Sequence, residues 1–347
     1  MKALVKWGDG KENMDIMEMP EPTIGPNDIL VEVMCVGICG SDLHIWRDEK
    51  EHKRPVILGH EYSGQVLDTG SECKRINRGD RICGDLETSG GRIGTHVNGA
   101  YAPLLAMPES LAHVMPGNVS YEEGAMVELV TCMSHDLMYR SRINPSDFVV
   151  VLGPGPIGLT VTQLVRLWSP RYVLTTGLYS DKNRLEMAKQ LGADMICYSE
   201  DDPVKVVREL TNGAGAEFVV DATGGEDAIT QATRMARMGG WITIVGLWGQ
   251  TIKANLDLIP YHSLTVRGGW GWAGMESESQ AVRMAAGFES WEKALQILAL
   301  GKIDMTRMIT RKIVLEDWHQ AYCNLEDKKE IKVMVYPNPD KYGPDSS

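Results

Sequence analysis

The run F-V-V-V-L-G-P-G-P-I-G, Phe148 to Gly158, constrains the fold of this chain more than any other stretch. Five apolar residues in succession suit a strand buried on both faces. The G-x-G-x-x-G that follows is weak evidence alone, but here it lies between a strand and an apolar-periodic segment with helical spacing. Gly153 permits the tight turn, Gly155 lets the backbone approach a pyrophosphate, and Gly158 allows close helix–strand contact. The helix that opens there offers unpaired N–H groups to phosphates. The pattern then repeats. A strand Tyr172 to Thr176 leads to a helix Lys182 to Leu191, and a strand Phe218 to Asp221 to a helix Asp227 to Met238. Strands Trp241 to Val245 and Leu264 to Gly268 follow. Alternation of this kind predicts an α/β domain, a Rossmann-type doubly wound parallel sheet covered by helices on both faces.

The candidate dinucleotide contacts are Gly153, Gly155, Pro156, Ile157 and Gly158, with Thr223 just past the strand Phe218 to Asp221. An acidic residue is expected at the end of the second strand to meet the ribose hydroxyls. This chain has Gly177 there, followed by Ser180, Asp181, Lys182 and Arg184. Loss of the carboxylate reduces repulsion against a 2′-phosphate, which Lys182 or Arg184 could pair. Asp181 could instead reach the ribose or cap the helix behind it. Both NAD and NADP stay open on these residues.

With 347 residues the chain exceeds one ordinary core, so two domains are expected. A net charge of −12 argues against nucleic acid or an anionic membrane as partner. Seven scattered cysteines, none in a C-x-x-C pair, read as reduced thiols in a cytoplasmic protein. The opening M-K-A-L-V-K-W has no long apolar core, and no apolar run reaches membrane-spanning length.

Before Asn144-Pro145 the chemistry of the sequence differs: short strands, such as Ile29 to Val36 and Arg78 to Cys83, separated by Gly and Pro turns. This part reads as a small, mostly β, barrel-like domain. Asp85 to Gly99 reads as a loop, and Tyr121 to Tyr139 as a helix carrying Glu128. The domain boundaries expected are 1–146 with 290–347, the tail folding back onto the first domain, and 147–289 for the dinucleotide domain. Within the first part, G-I-C-G-S-D-L-H and G-H-E-Y-S-G place Cys39, Ser41, His44, His60 and Glu61 in two short pieces. Thiolate, imidazole and carboxylate are zinc ligands, and three protein ligands leave a position open for water or substrate. Glu128 is a fourth candidate. Ser41 and His44 lie where an alcohol proton could be relayed outward.

Together G-I-C-G-S-D-L-H, G-H-E-Y-S-G, the E-L-V at Glu128 and G-P-G-P-I-G resemble the zinc-dependent medium-chain dehydrogenase/reductase superfamily. The likeness is nearest to its polyol branch of sorbitol and threonine dehydrogenases and runs from Met1 to about Pro337. The resemblance implies a GroES-like catalytic domain, a Rossmann domain and an active cleft between them. It implies zinc on Cys39, His60 and Glu61 or a water, with Glu128 a near or alternative ligand. Ser41 and His44 take the relay, and Val245, Gly246 and Leu247 the nicotinamide-side backbone contacts. Homodimers or homotetramers are usual in the family, and family habit slightly favours NAD.

The function expected is NAD(P)-linked hydride transfer between a secondary alcohol of a polyol, sugar or hydroxy acid and its ketone. A zinc-free reductase of the same superfamily and a non-catalytic dinucleotide sensor are the alternatives. Two departures from the family stand out. Between Asp80 and Ala100 there is Cys83 alone, where members commonly carry four cysteines, so one catalytic zinc and no structural zinc are expected. Gly271 to Gly287 reads as an insertion; Trp270, just before it, and Trp272, within it, are candidates to face substrate.

Overall fold

The computed structural model describes residues 1–269, 271 and 280–345, with side chains omitted for 280–287. The chain divides into two compact units. One comprises Met1–Glu128, Trp291–Ala299 and Met305–Ser347; the other comprises Leu129–Ser290 and Leu300–Asp304.

The second unit is built on a six-stranded parallel sheet. Its strand order is Met195–Tyr198, Tyr172–Gly177, Phe148–Leu152, Ala216–Asp221, Ala236–Ile244, Thr265–Gly268. Every neighbouring pair is parallel. The chain starts in the middle and winds outward in both directions, so its order reverses between Phe148–Leu152 and Ala216–Asp221. In doubly wound sheets ligands bind at that reversal, beyond the carboxyl ends of the strands. All five residues of Phe148–Leu152 are buried, as the apolar run requires. Val150, Leu174, Val219, Ile229 and Ile242 share one core.

The differences from the sequence reading have local causes. The helix after the Gly-rich turn is Pro156–Val165 with a last 3-10 turn, Arg166–Trp168; Ser169 then turns left-handed ahead of Pro170. The strand Met195–Tyr198 and helix Pro203–Leu210 went unpredicted, because the strand is short and only partly buried. The helix expected over Asp227 to Met238 ends at Met235, where the chain enters the strand Ala236–Ile244.

The first unit holds the mostly β architecture. Its larger sheet runs Ala112–Val114, Arg81–Gly84, Glu61–Thr69, Asp28–Gly37, Lys332–Tyr336, Ile309–Val314, with Leu104–Pro108 also paired to Asp28–Gly37. A smaller sheet joins Met14–Glu18, Lys2–Lys6 and Val56–Ile57. Lys332–Tyr336 pairs antiparallel with Asp28–Gly37, Met334 opposite Gly37, so the tail does return to the first unit.

The loop expected over Asp85 to Gly99 contains a small hairpin, Glu87–Thr88 with Gly91–Arg92. The helix expected from Tyr121 to Tyr139 is two, Tyr121–Ala125 and Val127–Tyr139, interrupted at Met126. The second of these straddles the division between units, which falls at Glu128/Leu129 instead of near 146. Asn144-Pro145 follows this helix, as expected, in the connection to Phe148–Leu152. Of the expected insertion, residues 272–279, Trp272 among them, lie outside the described residues, as does Trp270; its end, from Gln280, is backbone of the helix Gln280–Ala299.

Candidate functional site

Two strand ends and one short helix assemble the metal-ligand residues in the first unit. Asp28–Gly37 and Glu61–Thr69 are antiparallel with Gly37 opposite Glu61. The chain leaving Gly37 therefore passes beside the chain arriving through His60. Cys39 is the N-cap of the helix Gly40–Trp46, and its backbone N–H donates to Asp42 Oδ2 at 2.9 Å. That bond fixes the turn carrying the thiol. One ligand atom each from Cys39, His60 and Glu61 lies within 4.8 Å of the others, the only such metal-ligand group among the described residues. Glu128, half-buried at the start of Val127–Tyr139, is outside that group.

His60 and Glu61 each have a partner behind them. Asp42 is fully buried, and its Oδ1 lies 3.5 Å from His60 Nδ1. Its other oxygen accepts from the Tyr101 hydroxyl at 3.0 Å. Burial alone would raise the Asp42 carboxyl, but the His60 ring, the Cys39 N–H and Tyr101 outweigh it and hold the carboxyl below its usual range. A carboxylate at Nδ1 sets the imidazole tautomer and leaves Nε2 for a ligand. Nε2 faces the Ser41 hydroxyl at 3.4 Å, so Ser41 sits at the same spot. Burial pulls the His60 ring down, yet Asp42 and Cys39 together lift it well above the ordinary imidazole value.

Behind Glu61 stands Lys332, whose ammonium contacts Glu61 Oε2 and donates to the Ile38 carbonyl at 3.1 Å. The two side chains are 2% and 3% exposed. Burial would lower the lysine, but the Glu61 carboxylate, with Cys39 and Asp42, raises it instead. A Cβ on Gly37 would lie 2.5 Å from that carboxylate and 2.9 Å from Lys332 Cε, so a side chain there would displace the pair. Thiolate, imidazole and carboxylate, gathered around one point and largely buried, fit zinc.

His44 lies on the exposed face of the same helix. Its Nδ1 is 2.8 Å from Glu49 Oε2 and 3.2 Å from Arg47 Nη2. Asp85, which sequence reasoning passed over, is buried beside Glu87 and Glu128. Burial pushes its carboxyl up to about 7, against the Glu87 and Leu86 N–H groups that lower it.

In the second unit, Gly153 adopts φ +92°, and a Cβ on Gly158 would lie 1.8 Å from the Gly153 carbonyl oxygen. Only glycine fits both positions. Gly155 caps the helix Pro156–Val165, with Pro156 and Ile157 in its first turn. Thr223 reaches over Gly153, and its N–H and hydroxyl both donate to Asp221 Oδ1 at 3.0 and 2.7 Å. The Val245 and Gly246 N–H groups donate to the Asp221 carbonyl at 2.8 and 3.0 Å, which gathers these residues at the same sheet edge. Leu247 is largely exposed.

Gly177 ends the second strand, and a Cβ there would meet Pro154 Cγ at 2.7 Å. The proline of the Gly-rich turn thus excludes a side chain from the position where an acid was sought. Asp181 is buried and accepts from the Leu178 N–H at 3.1 Å, with Arg184 3.9 Å away. It closes its own turn and makes no side-chain cap to the helix Lys182–Gln190. Ser180 and Lys182 are exposed. The nearby carboxylate that the sequence did not reveal is Glu200, whose two oxygens each lie 3.1 Å from the Tyr179 N–H.

Residues 25–117 match the alcohol dehydrogenase GroES-like domain, and residues 156–287 match the zinc-binding dehydrogenase domain. The chain is 33% identical to a D-arabitol-phosphate dehydrogenase of Enterococcus avium, covering 99% of both chains. It is also 33% identical to a sorbitol dehydrogenase of Halalkalibacterium halodurans, covering 97% of this chain and 99% of that one. Among solved structures, a zinc-binding dehydrogenase from Sinorhizobium meliloti bound to NADP matches with a TM-score of 0.84 at 28% identity, over 97% of this chain and 99% of that one. The 2R,3R-butanediol dehydrogenase of Bacillus subtilis matches with a TM-score of 0.83 at 25% identity, over 97% and 100%. The chain belongs to the zinc-type medium-chain dehydrogenases, NAD(P)-linked oxidoreductases of CH–OH groups, and to their polyol branch.

Proposed function

We propose that this chain oxidises a secondary alcohol of a polyol reversibly, using one zinc ion per chain and preferring NAD. The observation that carries the reading is the convergence of Cys39, His60 and Glu61, with Asp42 orienting His60. Zinc held there would polarise an alcohol oxygen and favour its alkoxide. Cys39 and His60 serve as ligands; Glu61, tied to Lys332, or Glu128 completes the set.

Ser41, beside His60 Nε2, is placed to accept the alcohol proton, and His44 on the next turn of the same helix passes it outward. Support for a single metal comes from Cys83, a buried thiol that burial raises far above its usual value and so keeps protonated. A thiol of that kind is a poor ligand.

Support for NAD comes from charge around the expected ribose position. Glu200 lies at the Tyr179 backbone and Arg184 faces Asp181, so carboxylates meet a 2′-phosphate there. The names of relatives motivate testing both free and phosphorylated polyols. Purified protein incubated with a panel of both kinds and with each cofactor should generate the absorbance of reduced nicotinamide, faster with NAD. Cofactor binding with no turnover across the panel would overturn the reading.

A further inference from the structure

His44 Nδ1 meets two groups of opposite character. Glu49 Oε2, at 2.8 Å, can only accept a hydrogen bond, and Arg47 Nη2, at 3.2 Å, can only donate one. Arg47 is itself fixed. Its Nε donates to the same Glu49 oxygen at 3.0 Å, and Nη1 reaches Glu326 Oε1 on the helix Trp318–Glu326 at 3.4 Å. Lys11 donates to the same Glu326 oxygen at 2.8 Å and to Oε2 at 2.9 Å. The charged groups around the imidazole are therefore Glu49 and Arg47 directly, with Glu326 and Lys11 behind Arg47.

A ring that relays a proton must be able to take one at one nitrogen and release one from the other. That requires Nδ1 to have a partner both with and without its hydrogen. The pair supplies this. With Nδ1 protonated, Glu49 accepts; with Nδ1 bare, Arg47 donates.

We propose that Glu49 is the positioning residue of the proton relay: it holds neutral His44 in the Nδ1–H form, which turns the Nε2 lone pair toward the incoming proton. A proton taken at Nε2 is balanced by one leaving Nδ1 for the Glu49 carboxylate, and from there for water. Arg47 then covers the bare Nδ1 until exchange with solvent resets the ring. The idea rests on the reading of His44 as a relay. Glu49 is half exposed, and the hydrogen bond from His44, followed by Arg47, holds its carboxyl below the usual range. A surface pair of this kind contributes little to stability, so its effect is expected on turnover and not on folding.

The test uses the full zinc-loaded chain with 15N-labelled histidine, at a pH where the imidazole rings are neutral. In wild type the His44 nitrogen shifts should report Nδ1–H. Glu49→Ala should move the ring to the Nε2–H form, lower polyol turnover about tenfold or more, in the range of a lost acid–base relay, and leave the Tm unchanged. Glu49→Gln keeps an acceptor and should retain both the Nδ1–H form and most of the turnover. An unchanged tautomer or an unchanged rate in Glu49→Ala would overturn the assignment of Glu49. A wild-type rate in His44→Ala would overturn the relay itself, whatever tautomer the ring adopts.

Discussion

Replacing Lys332 with Met tests the inner half of the site. The lysine and Glu61 are 2% and 3% exposed, and Lys332 also satisfies the Ile38 carbonyl. Methionine keeps most of the aliphatic length and removes the charge. In metal-free protein the Glu61 carboxylate is then left buried without its cation, a change that costs about 3–5 kcal/mol. At about 2–4 °C per kcal/mol for a unit of this size, the melting temperature should fall by roughly 6–20 °C.

Zinc then separates two arrangements. If Glu61 faces the ion, zinc replaces the missing positive charge, and saturating zinc should raise the Tm more in Lys332→Met than in wild type. Binding at a hundred times Kd contributes about 2.7 kcal/mol by mass action alone, so the excess over the wild-type increment is the informative quantity. Thermal unfolding of both proteins, in chelator and in zinc, measures it. A metal-free variant melting within a degree or two of wild type would refute the claim that the carboxylate depends on Lys332. Equal zinc increments in both proteins would refute the claim that Glu61 faces the ion.

Three other outcomes are expected. His44→Ala should lower turnover about ten- to a hundredfold, in line with a lost proton relay, with dinucleotide affinity kept; this is read by steady-state rates beside a binding titration. Gly177→Asp should weaken both cofactors instead of exchanging one for the other, because its Cβ would meet Pro154 at 2.7 Å; a clean gain in the NAD to NADP ratio would contradict the placement. Asp85→Asn should stabilise metal-free protein at pH 8 relative to wild type and much less at pH 5. The folded carboxyl is raised to about 7, so the stability it contributes when protonated is lost as pH rises from its ordinary value near 4 through 7. The difference is at most a few kcal/mol, and equal melting shifts at both pH values would count against it.

What the sequence showed and what it hid follow from the range of the interactions. Phe148–Leu152 was read with its correct ends, because continuous burial leaves a continuous apolar run. Cys39, His60 and Glu61 were legible because two short motifs carry them, and the pairing of Gly37 with Glu61 brings the motifs together. Lys332 was not, since nothing local relates it to Glu61 across 271 residues. Glu200 escaped for a similar reason: its strand Met195–Tyr198 is short and only partly buried, so the turn after it carried no signal. Asp42 lay inside G-S-D-L-H in plain view, and its role at His60 emerges only when the chain returns through Leu58 to His60. The Gly177 position was read as a lost acid; the structure supplies the cause, since Pro154 occupies the space.

The measurement closest to the central claim is zinc content of the purified, dialysed protein alongside polyol turnover, for wild type and Cys39→Ser. The account predicts one zinc per chain and NAD-linked turnover in wild type, with both lost in the variant while dinucleotide binding persists. Zinc retained at one per chain in Cys39→Ser, or turnover that survives removal of the metal, would contradict it.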